Sequence, residues 1–251
     1  MRPKSSKPKM TAEKVVKDIR HAGLLINKVA DDPAGLDELD AAGIAISTII
    51  TGGFNLADRS SWEATRAMQR QTIDMAAAHN GHSIYFTSGR TATHDWNADL
   101  DLLAEAVAPT VAYGKESGVI AAFEPTLRTS VSFCTTLADA IDVAERTGLG
   151  IVADFGNNWM ERDLEQTLRR AMPHIALMQI DDIDPAASGG RVHIGEGSLS
   201  LKRWLATVLD VGYGGVFDLE VVPADFTAET DETELRAGIM AASRLLDDLG
   251  I

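Results

Sequence analysis

The chain has 251 residues, and its 23 Lys and Arg against 37 Asp and Glu give a formal net charge of −14. This length suits one large α/β domain or two small ones. The acidic balance argues against a general nucleic-acid binder, because phosphate contacts require clustered Lys and Arg. The single cysteine, Cys134, excludes an internal disulfide and a cysteine-based zinc cluster.

The sequence carries no signal for a membrane or for secretion. No apolar run approaches the roughly 20 residues that cross a bilayer. The basic start, Met1 to Lys9, lacks the apolar core of a secretory signal. We therefore expect a cytoplasmic protein without a membrane partner. Residues 1–10 are predicted to be a disordered or irregular N-terminal segment, and residues 11–251 a single domain.

Short apolar runs alternate with segments of helical spacing along the whole chain. The predicted strands are Leu24–Ile26, Ile44–Ile50, Ser83–Thr87, Val119–Phe123, Gly150–Ala153, Ile175–Gln179 and Val216–Glu220. The predicted helices are Thr11–His21, Asp32–Ala42, Trp62–Ala78, Asn97–Ser117, Thr136–Arg146, Asp163–Ala171, Ser200–Leu209 and Glu232–Leu249. This alternation predicts βαβ units with a parallel sheet.

Seven or eight such units in this length favour a (β/α)8 TIM barrel over an open sheet. No glycine-rich dinucleotide fingerprint follows the first strand and no Walker loop is present, which argues against a nucleotide-binding fold. Only Arg2 to Met10 precedes the first predicted helix, and this segment is a poor strand. The first barrel strand is therefore expected to be weak or missing, or to be supplied by a partner chain.

Oxygen-bearing side chains end four of the predicted strands: Glu124, Asp154, Gln179 and Glu220. In a barrel the carboxyl ends of the strands share one rim, where catalytic residues lie. Three carboxylates facing one another there would repel unless a cation neutralised them. Ligation by oxygen alone suits Mg²⁺ or Mn²⁺. Taken singly, each carboxylate has the alternative interpretation of a helix cap or surface group.

Several motifs together carry a family resemblance. They are Phe123-Glu124-Pro125, Val152-Ala153-Asp154-Phe155-Gly156-Asn157, Met178-Gln179-Ile180-Asp181-Asp182, Gly190-Arg191-Val192-His193-Ile194-Gly195-Glu196-Gly197 and Leu219-Glu220. From about Thr11 to Ile251 the chain resembles the xylose isomerase-like TIM barrels. This group of sugar phosphate isomerases and epimerases includes the tagatose/psicose 3-epimerases.

The resemblance implies a metal quartet of Glu124, Asp154, Gln179 and Glu220, with Mn²⁺ or Mg²⁺ as the cofactor. It also implies that Glu124 and Glu220 are the catalytic pair of acid and base. Two residues depart from the family pattern. Gln179 stands where the family has a histidine ligand, and Asn157 stands where it has a substrate-contacting histidine.

Substrate-binding residues are predicted around the same rim: Arg191, His193, Asn157, Arg90 and Trp159. Arg191 matches a family arginine that could hold a substrate oxygen or phosphate; the alternative is a loop arginine that pairs with Glu196. Of Asp181 and Asp182, one is predicted to be a further ligand and the other a cap. An apolar pocket wall is predicted from residues that follow strand ends, namely Phe54, Trp96 and Trp159.

These features predict a divalent-metal-dependent isomerase or epimerase that transfers a proton next to a carbonyl of a sugar or polyol-like substrate. One alternative is a lyase, dehydratase or carbon-glycoside-cleaving enzyme of the same superfamily. Another is a degenerate barrel that acts as a non-catalytic partner subunit. The expected partners are a small-molecule substrate and further copies of the chain in a dimer or tetramer, or a hetero-complex.

Overall fold

The computed structural model describes residues 21–25, 34–186, 190–220 and 231–250. Within these ranges seven parallel strands form one sheet, in the order β1-β2-β3-β4-β5-β6-β9. Their bounds are β1 His21–Leu25, β2 Ala45–Ile50, β3 Ser83–Thr87, β4 Ile120–Glu124, β5 Gly150–Asp154, β6 Ile175–Ile180 and β9 Val216–Leu219. A separate antiparallel hairpin joins β7 Asp182–Asp184 to β8 Gly190–Val192.

Helices connect the strands and cover the outer face of the sheet. Their bounds are α1 Ala34–Ala41, α2 Trp62–Ala78, α3 Trp96–Ser117, α4 Leu137–Thr147, α5 Phe155–Asn158, α6 Leu164–Ala171, α7 Leu201–Asp210 and α8 Asp231–Asp248. Local sequence sets several of these ends. Asp95 accepts a hydrogen bond from the Ala98 amide at the start of α3, and Gly118 ends that helix at a φ of 72°.

Contacts across the sheet show that it is curled into a barrel. Ser47 lies on β2 and Asp218 on β9, at the far end of the strand order, yet Ser47 Oγ is 3.4 Å from Asp218 Oδ1. Tyr85 on β3 similarly meets Gln179 on β6, with 3.3 Å between the hydroxyl oxygen and Nε2. The fold is therefore a TIM barrel, as the alternation of strands and helices predicted.

Alternate residues of the strands contribute to two separate cores. The larger core lies between sheet and helices and includes Ile84, Phe86, Phe123 and Ile151. A smaller cluster fills the barrel interior; its members are Tyr85, Ala122, Val152, Ala176 and Leu177, with Ile50 and Val216 packed against them. The interior thus changes from apolar to polar toward the strand ends that carry Glu124 and Asp154.

Most predicted elements are confirmed with small shifts of their bounds. The predicted strand at Leu24 begins earlier, at His21, so His21 belongs to a strand and not to the preceding predicted helix. The rest of that helix, and any first barrel strand before it, lie outside the described residues. The β7–β8 hairpin and the short helix α5 were not predicted. In the part of the chain that the structure describes, no helix is long and apolar enough to span a membrane.

Candidate metal centre and active site

Four strand ends bring the predicted ligands together. Glu124 is the last residue of β4, Asp154 the last of β5, and Glu220 directly follows β9. One carboxylate oxygen from each of these three residues lies within 4.8 Å of the other two. Gln179 on β6 pairs in register with Asp154 on one side and with Asp218 on the other. The rim predicted from the sequence is thus present.

Asn157 bridges two of the carboxylates. Its Nδ2 donates to Glu124 Oε1 at 2.6 Å and to Asp154 Oδ2 at 2.7 Å. Its Oδ1 accepts from the Thr126 hydroxyl at 3.0 Å. Since only the amide nitrogen can donate to a carboxylate, these contacts determine which end of the amide faces the cluster. Asn157 therefore holds Glu124 and Asp154 together.

Asp154 is both a candidate ligand and a helix cap. Its Oδ1 accepts from the Gly156 amide at 2.7 Å and from the Asn157 amide at 3.2 Å, at the start of α5. The Gly156 amide also donates to Asp181 Oδ1 at 2.6 Å. A Cβ at position 156 would lie 1.9 Å from Asp181 Oδ2, so only glycine allows this approach.

Arg191 pairs with three carboxylates at once. Nη2 lies 2.6 Å from Asp154 Oδ2, Nε 2.7 Å from Asp181 Oδ2, and Nη1 3.1 Å from Glu220 Oε1. The alternative of a loop arginine paired with Glu196 is wrong, because Arg191 lies on β8 and these three partners take its guanidinium. The hairpin therefore places one cation among four acidic side chains, Glu124 being the fourth.

One arginine does not balance this negative charge, and the pKa values reflect the deficit. Burial, together with Asp154 and Glu220, raises the pKa of Glu124 well above its usual value. Burial and then Asp154 raise the pKa of Glu220 to about 7, against the opposing effect of Arg191. Burial and Asp154 likewise raise the pKa of Asp181 to about 8, again opposed by Arg191. The cluster thus favours an added positive charge or retained protons.

Of the two aspartates that follow β6, Asp182 is the structural one. Its Oδ2 accepts from the Gly195 amide at 2.9 Å and the Gly197 amide at 3.1 Å, and its Oδ1 accepts from the Leu199 amide at 3.1 Å. It therefore anchors the Gly195-Glu196-Gly197 turn. Asp181 instead faces the site, where it contacts Arg191 and Gly156.

A cavity of about 360 Å³ lies beside the carboxylates. Asn157 and Arg191 form part of its polar wall and connect it to Glu124, Asp154 and Glu220 through the contacts above. The other lining residues are Leu127, Arg128, Gly156, Trp159, Met160 and Ile183. Leu127 is 48% exposed and Met160 is 69% exposed, so the wall is apolar at the mouth of the cavity. Trp159 lines the cavity as predicted.

Other predicted pocket residues lie elsewhere. Phe54 is a core residue packed edge-on against Trp62 and Phe86, so its place in the pocket wall was wrongly predicted: the loop after β2 folds inward. Trp96 packs against Phe133 at the start of α3 and does not line this cavity. Arg90, in the loop after β3, is exposed and likewise is not among the lining residues.

His193 directly follows β8 and is half-buried. Its backbone carbonyl accepts a hydrogen bond from the Glu196 amide at 2.9 Å, which places it at the start of the turn that Asp182 anchors. A role for His193 toward substrate stays a prediction.

Three site residues were not predicted. Arg128 lines the cavity four residues after Glu124, in a loop without a distinctive motif. Tyr85 and Asp218 project into the barrel interior beneath the candidate ligands. Strand alternation was the available signal for Asp218, because Val216, Asp218 and Glu220 share one face of their strand. Burial raises the pKa of Asp218 to about 6, although hydrogen bonds from Ser47 and Gln179 oppose this shift.

The donor set fits a hard divalent cation. Three carboxylates supply oxygens at mutual distances short enough to share one ion. Gln179 Oε1 and Glu220 Oε2 are buried and have no hydrogen-bond partner in the described part of the chain. Buried acceptors without a donor are uncommon, and a cation would satisfy both. Glu124, Asp154, Gln179 and Glu220 are therefore the residues that would hold the metal.

The fold and the site define a class of protein: a TIM barrel with clustered carboxylates at the carboxyl ends of its strands. The chain matches the family model of the xylose isomerase-like TIM barrel over residues 28–245, and it belongs to that family. No curated protein matches the chain in sequence.

Solved structures extend this likeness. A protein from Sinorhizobium meliloti 1021 is 22% identical, with 93% of this chain and 92% of that chain covered and a TM-score of 0.80. The 3-keto-D-glucoside 4-epimerase from E. coli is 16% identical, with 98% and 97% covered and a TM-score of 0.73. A xylose isomerase-like TIM barrel protein from Mycobacterium smegmatis, in complex with magnesium, is 17% identical, with 94% and 87% covered and a TM-score of 0.66. At these identities the likeness concerns the fold.

Proposed function

We propose that the protein is a divalent-metal-dependent isomerase or epimerase that moves a proton next to a carbonyl of a sugar or polyol-like substrate. The observation that carries this proposal is the group of Glu124, Asp154 and Glu220 oxygens within 4.8 Å of one another, beside a cavity of about 360 Å³. Membership of a family that includes epimerases supports the reaction class, and a magnesium-bound neighbour supports the cofactor.

Glu124 and Glu220 are the proposed acid and base. An acid or base works best when its pKa lies near the working pH, and the pKa of Glu220 is raised to about 7. The pKa of Glu124 is also raised well above its usual value, chiefly by burial, which favours a role in proton transfer. One glutamate would remove the proton beside the carbonyl and the other would return a proton to the resulting enediolate.

The remaining residues bind and orient. Asn157 holds Glu124 and Asp154 in place, and Arg191 lines the cavity, where the guanidinium N–H groups left over from its three carboxylate contacts can bind a substrate oxygen. Trp159 offers an apolar face to the carbon side of a sugar ring. A bound Mn²⁺ or Mg²⁺ would polarise the substrate carbonyl and stabilise negative charge on its oxygen.

Metal binding is the first test. We expect Mn²⁺ to bind the wild-type protein in calorimetry and to raise its melting temperature, because ligands of the folded state stabilise that state. Glu124→Gln and Glu220→Gln should each weaken binding by at least about tenfold, since each replaces a charged ligand. Glu196→Gln is the matched control, because Glu196 is exposed on the nearby turn and should leave binding unchanged. Equal Mn²⁺ binding by all four proteins would contradict the metal site.

The reaction class is tested separately. A panel of ketoses incubated with the protein and Mn²⁺ in deuterium oxide should show deuterium at the carbon next to the carbonyl, detected by NMR. Glu124→Gln and Glu220→Gln should abolish this exchange. Loss of water or of another leaving group from the substrate would instead indicate a lyase. No exchange with any ketose, despite Mn²⁺ binding, would contradict epimerisation of such substrates.

A further inference from the structure

Gln179 lies at the centre of a polar network inside the barrel. Its strand neighbours in register are Asp154 and Asp218, so the three side chains project from paired positions of adjacent strands. Gln179 and Asp154 are both buried. The side chain of Gln179 is an amide, which carries a donor at one end and an acceptor at the other. Which end faces the carboxylate cluster therefore decides whether Gln179 can bind a cation.

The donor end of the Gln179 amide contacts Tyr85 across the barrel, and Asp218 lies beside Gln179 on the adjacent strand. Gln179 Nε2 donates to the Tyr85 hydroxyl at 3.3 Å. Asp218 is the register partner of Gln179 on the neighbouring strand, and the Gln179 amide lowers the pKa of Asp218, as an N–H group beside a carboxylate does. Asp218 Oδ1 accepts a hydrogen bond from Ser47 Oγ at 3.4 Å. A carboxylate oxygen only accepts, so Asp218 selects the nitrogen end of the amide and repels the oxygen end.

The acceptor end has no such contact. Gln179 Oε1 is buried without a hydrogen-bond partner in the described residues, and Glu220 Oε2 is in the same condition. Glu220 lies two residues beyond Asp218 on the same face of the chain. The network thus binds the nitrogen of Gln179 and leaves its oxygen available.

We propose that Asp218, assisted by Tyr85, is a positioning residue that orients the Gln179 amide so that Oε1 acts as a ligand of a divalent cation. This inference rests on the proposed metal site and deepens it. An amide in the opposite orientation would present two N–H groups to the cation and would oppose binding. Carboxylate partners that fix the orientation of a metal ligand are a general feature of metal sites.

The test is a double-mutant cycle on Mn²⁺ affinity, measured by calorimetry with the metal alone. Asp218→Asn keeps the shape of the side chain but lets it pair with either end of the amide, so we expect about tenfold weaker Mn²⁺ binding. Gln179→Leu removes the amide and should weaken binding by a similar factor. Adding Asp218→Asn to Gln179→Leu should then have no further effect, because no amide remains to be oriented.

Two further variants test which neighbours orient the Gln179 amide. Tyr85→Phe removes the hydroxyl that accepts from Gln179 Nε2 and should weaken Mn²⁺ binding less than Asp218→Asn does, because a hydroxyl can pair with either end of the amide. Tyr85→Phe also tests the orientation of the Gln179 amide if Asp218→Asn does not fold. Ser47→Ala leaves the Asp218 carboxylate in place and should leave Mn²⁺ affinity within about threefold of wild type, since Ser47 hydrogen-bonds Asp218 and not Gln179. Circular dichroism of each metal-free variant checks the fold.

The outcomes separate the two proposals. If wild type does not bind Mn²⁺, the proposed metal site is wrong. The proposal that Gln179 is oriented toward that site is then overturned as well. If wild type binds but Asp218→Asn binds equally well, only the positioning role is overturned. It is also overturned if Asp218→Asn weakens binding as strongly in the Gln179→Leu background, because the effect would then come from the charge of Asp218.

Discussion

At the scale of single residues, Asp154 shows how one carboxylate serves several neighbours. It caps α5 through the Gly156 and Asn157 amides, pairs with Arg191 at 2.6 Å, and still lies within reach of Glu124 and Glu220. A carboxylate at the end of a strand can be interpreted as a helix cap or as a metal ligand, and for Asp154 the two interpretations are compatible. The two oxygens of one carboxylate can divide these roles.

Gly156 gives a prediction at this scale. Gly156→Ala places a Cβ 1.9 Å from Asp181 Oδ2 and 2.7 Å from its Cγ, so Asp181 must move and its contact with Arg191 is disturbed. We expect the free energy of unfolding in urea to fall by about 1–3 kcal/mol, the usual range for overpacking. Mn²⁺ affinity should fall as well.

Gly214→Ala is the control, because nothing lies within 4 Å of a Cβ at that position. Its unfolding free energy should stay within about 0.5 kcal/mol of wild type, as for ordinary surface changes. Equal stability of the two alanine variants would show that Asp181 is not held against Gly156.

At the scale of elements, the β7–β8 hairpin is what delivers Arg191 to the site. The hairpin has only three residues per strand, and Asp182 at its start ties it to the turn that follows β8. Asp182 is buried and accepts four backbone N–H groups, counting that of Ile183 at 2.9 Å. A short hairpin of this kind is not stable alone in water, so the anchor maintains the site.

Asp182→Ala tests this. It leaves the amides of Gly195, Gly197 and Leu199 without their acceptor, and we expect a loss of about 3 kcal/mol in unfolding free energy. Amide hydrogen exchange should rise across 190–199 before it rises in the barrel strands. Asp184→Ala is the control, because among the described residues the Asp184 side chain accepts only from the Ala186 amide, and it should cost less than about 1 kcal/mol. Unchanged exchange in Asp182→Ala would contradict the anchoring role.

At the scale of the whole molecule, the excess of buried carboxylates makes stability depend on pH and on metal. The folded-state pKa of Glu220 is about 7 against an ordinary 4.5, and that of Asp181 is about 8 against 3.8. Both groups bind a proton more tightly in the folded than in the unfolded chain. Folding stability from these groups is therefore present at low pH and is lost as pH rises, up to about 7 for Glu220 and about 8 for Asp181.

We accordingly predict that metal-free protein in EDTA loses unfolding free energy between about pH 5.5 and 8, measured by urea titration. Glu220→Gln should show a smaller loss over this range, because position 220 then no longer titrates. Saturating Mn²⁺ should reduce or reverse the loss, since cation binding favours the ionised carboxylates. A pH dependence in Glu220→Gln identical to that of wild type would refute the assignment of this effect to Glu220.

Much of the fold and the cluster of strand-end carboxylates could be predicted because the relevant signals are local. Apolar runs separated by helical segments indicated a parallel barrel, and parallel strands necessarily collect their carboxyl ends at one rim, which brought Glu124, Asp154 and Glu220 together. Caps such as Asp95 and terminal glycines such as Gly118 similarly act within a few residues. The predicted helix ends near these residues are therefore close to the observed ends.

Other features depend on contacts between residues far apart in the chain. The pairing of Arg191 with Asp154 spans 37 positions, and that of Gln179 with Tyr85 spans 94. Phe54 was predicted to line a pocket because it follows a strand, but packing against Phe86 places it in the core. An arginine or an aromatic residue that follows a strand has the same local sequence pattern whether it faces the site or packs elsewhere. The sequence alone therefore could not distinguish these two placements.

The amino-acid sequence by itself therefore determined the barrel and the strand-end oxygens through the alternation of strands and helices, and its motifs carried the resemblance to the family. Only the tertiary structure decided which carboxylates Arg191 neutralises, which aspartate after β6 anchors the turn, and how Asp218 and Tyr85 meet Gln179. The physical reason is barrel closure. It brings side chains from distant strands into one buried interior, where charge and hydrogen-bonding capacity must be satisfied together.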